Sequence, residues 1–245
     1  MALEAVTRVY GSGAGALLAV DRVDLRVRRG EFLCLLGASG CGKSTLLSLM
    51  AGLDVPTVGT VRVEGGRPAL VFQDGGLLPW LTVERNVELP MRLGGVPRHE
   101  RRAHTERLLR LVHLNGFGQS RPHQLSGGMR QRVALARALA QQADVLLMDE
   151  PFAALDAITR DILHEDLARI QAAAAATVVF VTHNVREAVR LGDRLVLLTS
   201  RPGRVSQEWE IDLPRPRRLD DTAGAALAQD ITDSLRAEIS RHGRR

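Results

Sequence analysis

The chain has 245 residues, 45% hydrophobic and 25% charged, a balance that suits a folded globular protein and excludes disorder, collagen-like repeats and coiled coil as whole-chain descriptions. Its net charge of +5 comes from arginines interleaved with acids, as in Arg98-His99-Glu100-Arg101-Arg102, and only 3% of residues are aromatic. No dedicated basic face and no base-stacking surface follow from that, so no nucleic-acid partner is expected.

The opening residues lack the charged-then-apolar pattern of a secretory signal. The longest nearly apolar run, residues 172–181, falls far short of the ~20 residues of a spanning helix, so any membrane crossing is expected in another chain. The two cysteines, Cys34 and Cys41, make neither a disulfide framework nor a zinc cluster and point to a reduced, cytosolic setting.

Residues 3–9, 20–27 and 60–63 alternate apolar and polar side chains, which predicts a small antiparallel sheet. Within that region, residues 31–36 (EFLCLL) form a continuous apolar run. It ends in a glycine-rich turn, and Ser44-Thr45-Leu46-Leu47 then begins a helix. Residues 82–142 are helical in pattern, with Leu108, Leu109 and Leu111 and an alanine-rich run over 133–140, and predict a lobe inserted in an α/β domain. Residues 145–148 (VLLM), 177–182 (TVVFVT) and 194–198 (RLVLL) are further continuous runs, the mark of parallel strands covered on both faces. The alanines of 172–176 read as a helix end. Beyond Pro202-Gly203 and Pro214-Arg215-Pro216, Leu227, Ile231, Leu235 and Ile239 recur at spacing four and predict one short amphipathic helix in the tail.

Lys43 is the only lysine among 33 basic residues. A drift toward arginine spares a lysine where a compact ammonium is needed and a guanidinium fork will not serve. Its place is Gly37-Ala38-Ser39-Gly40-Cys41-Gly42-Lys43-Ser44, which fits G-x-x-x-x-G-K-[ST] in full. Glycines there let successive N–H groups line one concavity, and the following helix terminus adds partial positive charge. Lys43 is expected to reach the β and γ phosphates and Ser44 to hold Mg2+, with Thr45 completing the nucleotide-binding loop. The strand at 145–148 ends in Asp149-Glu150, a carboxylate pair that is costly unless it faces a cation or reactants. Asp149 is expected to meet Mg2+, directly or through water, and Glu150 to polarise the attacking water. Ser126-Gly127-Gly128, after Leu125 and before Met129, opens another helix and supplies a second anion-binding terminus. Cys41 lies at a helix start, where thiol pKa values fall, so its alkylation is expected to block hydrolysis.

With these motifs in this order, the sequence resembles the nucleotide-binding subunit of ATP-binding cassette (ABC) transporters, over roughly residues 3–218. The resemblance implies a P-loop NTPase: a RecA-like parallel sheet core, an antiparallel β subdomain and an inserted helical subdomain at about 82–142, with 219–245 as a C-terminal tail. It implies ATP and Mg2+ as ligands. It assigns Gln73, in Val71-Phe72-Gln73-Asp74, to sensing Mg2+ and to the link with the membrane partner. It assigns Asp156, in Ala154-Leu155-Asp156, to contact with the opposite subunit. It assigns His183 to the γ-phosphate and Tyr10 to stacking on adenine. Leu125-Ser126-Gly127-Gly128-Met129 departs from the family's LSGGQ only at Met129. In the family two chains pack head to tail, each ATP held between one chain's Lys43 loop and the other's Ser126 loop. A P-loop GTPase would need N-K-x-D to read guanine, which a chain with a single lysine at Lys43 cannot supply.

The finer resemblance is to the importer branch for nitrate, aliphatic sulfonates and taurine. It rests on Phe72 to Trp80, on Phe152 to Arg160, on Arg201-Pro202-Gly203-Arg204-Val205 and on Leu213-Pro214-Arg215-Pro216-Arg217. It implies transmembrane permease subunits as partners, a second copy of the chain, a periplasmic or lipid-anchored substrate-binding protein met only indirectly, and residence on the cytoplasmic face of the membrane. Leu77 to Trp80 is expected to be the socket for a permease helix. The alternative is an exporter or lipoprotein-release ATPase, whose branch Asn86-Val87-Glu88-Leu89-Pro90 would also suit.

Overall fold

The computed structural model describes residues 1–215, 217 and 222–242. β1 (Ala2–Tyr10) and β2 (Leu17–Arg26) pair antiparallel. β3 (Phe32–Leu36) then enters the glycine loop and α1 (Lys43–Met50), and β4 (Val58–Arg62) adds to the far edge of β1. The small sheet thus has three strands in the order β2-β1-β4. β5 (Ala69–Val71) leads to a helical lobe of α2 (Val83–Leu93), α3 (Arg98–Leu111) and α4 (Gly127–Leu139). The chain returns through β6 (Val145–Asp149), α5 (Ala157–Ala174), β7 (Thr177–Val181), α6 (Val185–Leu191), β8 (Arg194–Leu198), β9 (Val205–Glu210) and α7 (Thr222–His242).

The larger sheet has the order β5-β6-β7-β3-β8-β9. Its first five strands run parallel, and β9 pairs antiparallel with β8 at one edge. This is the P-loop NTPase arrangement, with the antiparallel sheet and the helical lobe on either side. The continuous apolar strands explain themselves by the pleat. In β3, Phe32, Cys34 and Leu36 pack with the helical lobe and α5 to α7, whereas Leu33 and Leu35 pack with α1 and the small sheet. Val178 and Phe180 of β7 face the first layer, Val179 and Val181 the second.

Two strands had no sequence prediction. β5 is three residues long, below the length at which any period declares itself. β9 (VSQEWE) is largely exposed and polar, as an edge strand with one open side is free to be. In α7, Ile231 is fully buried and Leu227 and Leu235 pack beside it, but Ile239, the last of the predicted stripe, is 47% exposed. Trp209 Nε1 donates to Asp230 Oδ2 at 2.9 Å and ties β9 to that helix. The predicted boundary at 218/219 and Pro216 lie outside the described residues. Among the described residues no helix is long and apolar enough to cross a membrane.

Candidate functional site

The turn after β3 closes around its own lysine. Lys43 Nζ donates to the carbonyls of Gly37 and Ala38, each at 2.8 Å, and the side chain is only 7% exposed. Gly42 caps α1 at φ +99°, and a Cβ there would stand 2.8 Å from Ala19 O and 3.0 Å from Val20 Cγ2. Both the backbone angle and the approach of β2 therefore require glycine. Cys41 corrects the expectation of an activated thiol. It is buried, and burial pushes its pKa up more than the neighbouring Lys43 pulls it down. A helix start activates a thiol only when solvent can reach the thiolate.

β6 delivers its carboxylates to the same end of the sheet. Burial raises the Asp149 pKa, Glu150 adds to the rise, and Ser44 and Lys43 oppose it. Glu150 sits at φ +44°, a conformation costly for a residue with a Cβ, and its N–H donates to Val181 O at 3.0 Å. Oε2 of Glu150 lies 3.0 Å from His183 Nδ1. A cleft of about 430 Å3 gathers Tyr10, Ser39, Gly40, Gly42, Lys43, Ser44, Thr45, Gln73, Asp149, Glu150 and His183, which are drawn from five separate segments of sequence. Tyr10, the last residue of β1, stands at its rim and donates its hydroxyl to Asp54 Oδ2 at 2.8 Å. Gly37 and Ala38 contribute through the carbonyls that hold Lys43, not by lining the cleft.

Ser126, Gly127, Gly128 and Asp156 do not line this cleft. Ser126 caps α4, its hydroxyl oxygen accepting from Met129 N–H at 3.2 Å, and Asp156 caps α5 by accepting from Thr159 N–H at 2.9 Å. The two caps are neighbours: a Cβ on Gly128 would stand 2.7 Å from Leu155 Cδ2. One chain therefore carries the Lys43 cleft and, apart from it, a helix terminus set against the Asp156 loop.

Residues 20–153 match the protein-family model described as ABC transporter. The chain belongs to the ABC transporter family. A taurine import ATP-binding protein, TauB of Burkholderia pseudomallei, is 48% identical to it over 217 residues, spanning 86% of this chain and 84% of that protein. A nitrate import ATP-binding protein, NrtD of Synechocystis sp., is 44% identical over 216 residues, spanning 85% and 81%. An ATP-binding cassette solved as a dimer in a post-hydrolysis state with ADP and Pi superposes with a TM-score of 0.79 at 34% identity, over 87% of this chain and 99% of that one. The ligand of this ABC cassette is ATP and its reaction is ATP hydrolysis.

Three further residues shape the ABC site. Gln131 of α4, 5% exposed, donates through Nε2 to Gln73 O at 3.3 Å and accepts on Oε1 from Ala154 N–H at 3.2 Å. It thereby joins the Ser126 helix to the Gln73 and Asp156 loops. Arg137, two helical turns further along, donates to Gly75 O at 2.9 Å and Gly76 O at 2.8 Å. Arg201 lines the Lys43 cleft and donates through Nε to Gly40 O at 3.0 Å. Gln131 could have been suspected from its place just past the motif. Arg201 was marked in the sequence only as part of the importer-branch tail motif and carried no signal for this cleft, being 161 residues from the carbonyl it holds. The fit to Mg2+ is chemical. A serine hydroxyl, an amide oxygen and a carboxylate line the cleft at Ser44, Gln73 and Asp149, all hard oxygen donors, and Asp149 is a carboxylate whose pKa burial raises even with Lys43 nearby.

Proposed function

We propose that this ABC ATPase powers import of a small anion or sulfonate through a separate membrane permease, working as a head-to-tail pair on the cytoplasmic face. The observation that carries the two-chain reading is the division of parts: the Lys43 cleft lies on one surface, and Ser126, Gly127, Gly128 and Asp156 lie apart from it. A second copy would bring its Ser126 helix terminus to the γ-phosphate of the first and its Asp156 loop to the seam. The likeness to taurine and nitrate import ATP-binding proteins over most of each chain supports the import direction.

In this reading the N–H groups from Gly37 to Thr45 and the Lys43 ammonium hold the ATP phosphates. Tyr10 stacks on adenine. Glu150 takes a proton from the water that attacks the γ-phosphorus, the bond to the bridging oxygen breaks, and ADP carries away the charge. His183, released from Glu150, donates to the γ-phosphate. Ser44, Asp149 and Gln73 would hold Mg2+, which supplies charge neutralisation at the β and γ phosphates when bound. Losing the γ-phosphate removes the shared contact, and the pair opens.

The permease contact falls on the Leu77–Trp80 turn. Asn86, fully buried, fastens that turn: Nδ2 donates to Leu78 O, Leu81 O and Thr82 O, and Oδ1 accepts from Leu78 N–H. Trp80, 67% exposed, and Phe72, 44% exposed and next to Gln73 in sequence, are left outward. The same bonds account for Asn86 without appeal to an exporter branch. The substrate-binding protein meets the permease and never this chain.

The test is growth of the native host carrying Lys43→Ala on single sulfur or nitrogen sources. Loss of growth on taurine, an alkanesulfonate or nitrate, with sulfate and ammonium growth intact, is the expected result and identifies the cargo. Unimpaired growth on every source sinks the import reading.

A further inference from the structure

A buried ionic cluster lies beside the ATP cleft and takes no part in the scheme above. Glu187, in α6, is 7% exposed. Its Oε2 accepts from the Thr182 hydroxyl at 2.6 Å, and that hydroxyl oxygen accepts from Asn184 N–H at 3.0 Å. Both residues that flank His183 are thus tied to one carboxylate. On its other side Glu187 Oε1 stands 3.5 Å from His164 Nε2 and 3.6 Å from Arg160 Nε, both in α5. Arg160 also donates to Leu155 O at 2.9 Å, in the loop that ends at Asp156. His164 packs edge-on against Phe152, and neither of its ring nitrogens has a hydrogen-bond partner.

A buried carboxylate is a poor choice for stability alone, because well-packed apolar side chains of similar volume often serve as well or better. Burial pushes the Glu187 pKa up, but His164, Thr182 and Arg160 outweigh it and hold it below the usual value, so the group is ionised at neutral pH. We infer that Glu187 is a positioning residue for hydrolysis, fixing the backbone on both sides of His183 and tying it through Arg160 to the Asp156 loop. The assignment rests on the role proposed above for His183. The physical basis is geometric: His183 must swing between Glu150 and the γ-phosphate from a fixed base, and misplacement by about 1 Å costs on the order of 10²-fold in rate. Through Arg160, a contact made by the partner on the Asp156 loop is transmitted to the base of the same histidine.

The test uses the full chain with Mg-ATP. Glu187→Ala is expected to lower kcat about 10- to 100-fold while leaving the KM for ATP within about threefold, and Glu187→Gln, which still accepts from Thr182, is expected to recover part of that rate. In a His183→Ala background Glu187→Ala adds no loss, because coupled residues are not additive. The imidazole C2–H resonance of His183, assigned by its disappearance in His183→Ala, moves in both Glu187 variants. Binding of a fluorescent ATP analogue at parental affinity shows that each variant is folded. An unmoved resonance, or an unchanged kcat in Glu187→Ala beside an inactive His183→Ala, overturns this proposal alone. A His183→Ala enzyme that hydrolyses at the parental rate overturns the role given to His183 and this proposal with it.

Discussion

Asp149 sits where charge is least welcome without a cation. Its folded pKa is raised, chiefly by burial, so the protonated form is the one the fold favours. Stability from this group is therefore full below its unfolded value near 3.8 and is lost as pH rises through the raised folded value. Asp149→Asn is expected to raise the Tm of the nucleotide-free protein at neutral pH by on the order of 1–3 °C, to leave it unchanged near pH 3, and to abolish Mg2+-dependent hydrolysis. Calorimetry across pH checks it, and an equal gain at both pH values would contradict the burial account. At this scale Lys43 was legible because one lysine among 33 basic residues advertises its position. Cys41 was misread because a motif gives a residue's place along the chain and not its depth. Arg201 was illegible because only the return of the chain past β8 sets it against Gly40.

The elements that could be read were those whose burial is one-sided or complete along their length. β3, β6, β7 and β8 announced a parallel sheet by continuous apolar runs, and β1 and β2 an antiparallel one by alternation, whereas β4 is exposed at four of its five positions and was found only through the short stretch at 60–63. β9 escaped because an edge strand satisfies its partner through backbone bonds and leaves no side-chain period. In α7 the period gave the helix but not which member carries the load. Ile231 is fully buried, so Ile231→Ala should cost about 2–5 kcal/mol through lost burial and the cavity left behind. Ile239→Ala, at a half-open position, should change stability by no more than about 0.5 kcal/mol. Denaturant unfolding of the two variants separates them. Equal small losses would mean that α7 does not dock on the core in solution.

In the proposed reading the whole molecule is a half-site. Its cleft collects Lys43, Asp149, Glu150 and His183 from the ends of three parallel strands, and the Ser126 and Asp156 caps face elsewhere. Motif order made the family legible, and the family resemblance in turn implied this separation of the Lys43 and Ser126 loops; spacing along the chain alone would not have given it, since it says nothing of which surface a helix terminus points from. In the head-to-tail reading proposed above, ATP is both reactant and the bond between two chains, and its hydrolysis dissolves the contact that it made. That account is tested most directly with Glu150→Gln, by measuring ATP turnover and, on the same sample, mass by light scattering. Turnover lowered by about 10²- to 10⁴-fold, with a dimer that forms on adding ATP and is absent with ADP, is the predicted result. A chain that binds ATP yet stays monomeric, or one that hydrolyses ATP near the parental rate, would contradict it.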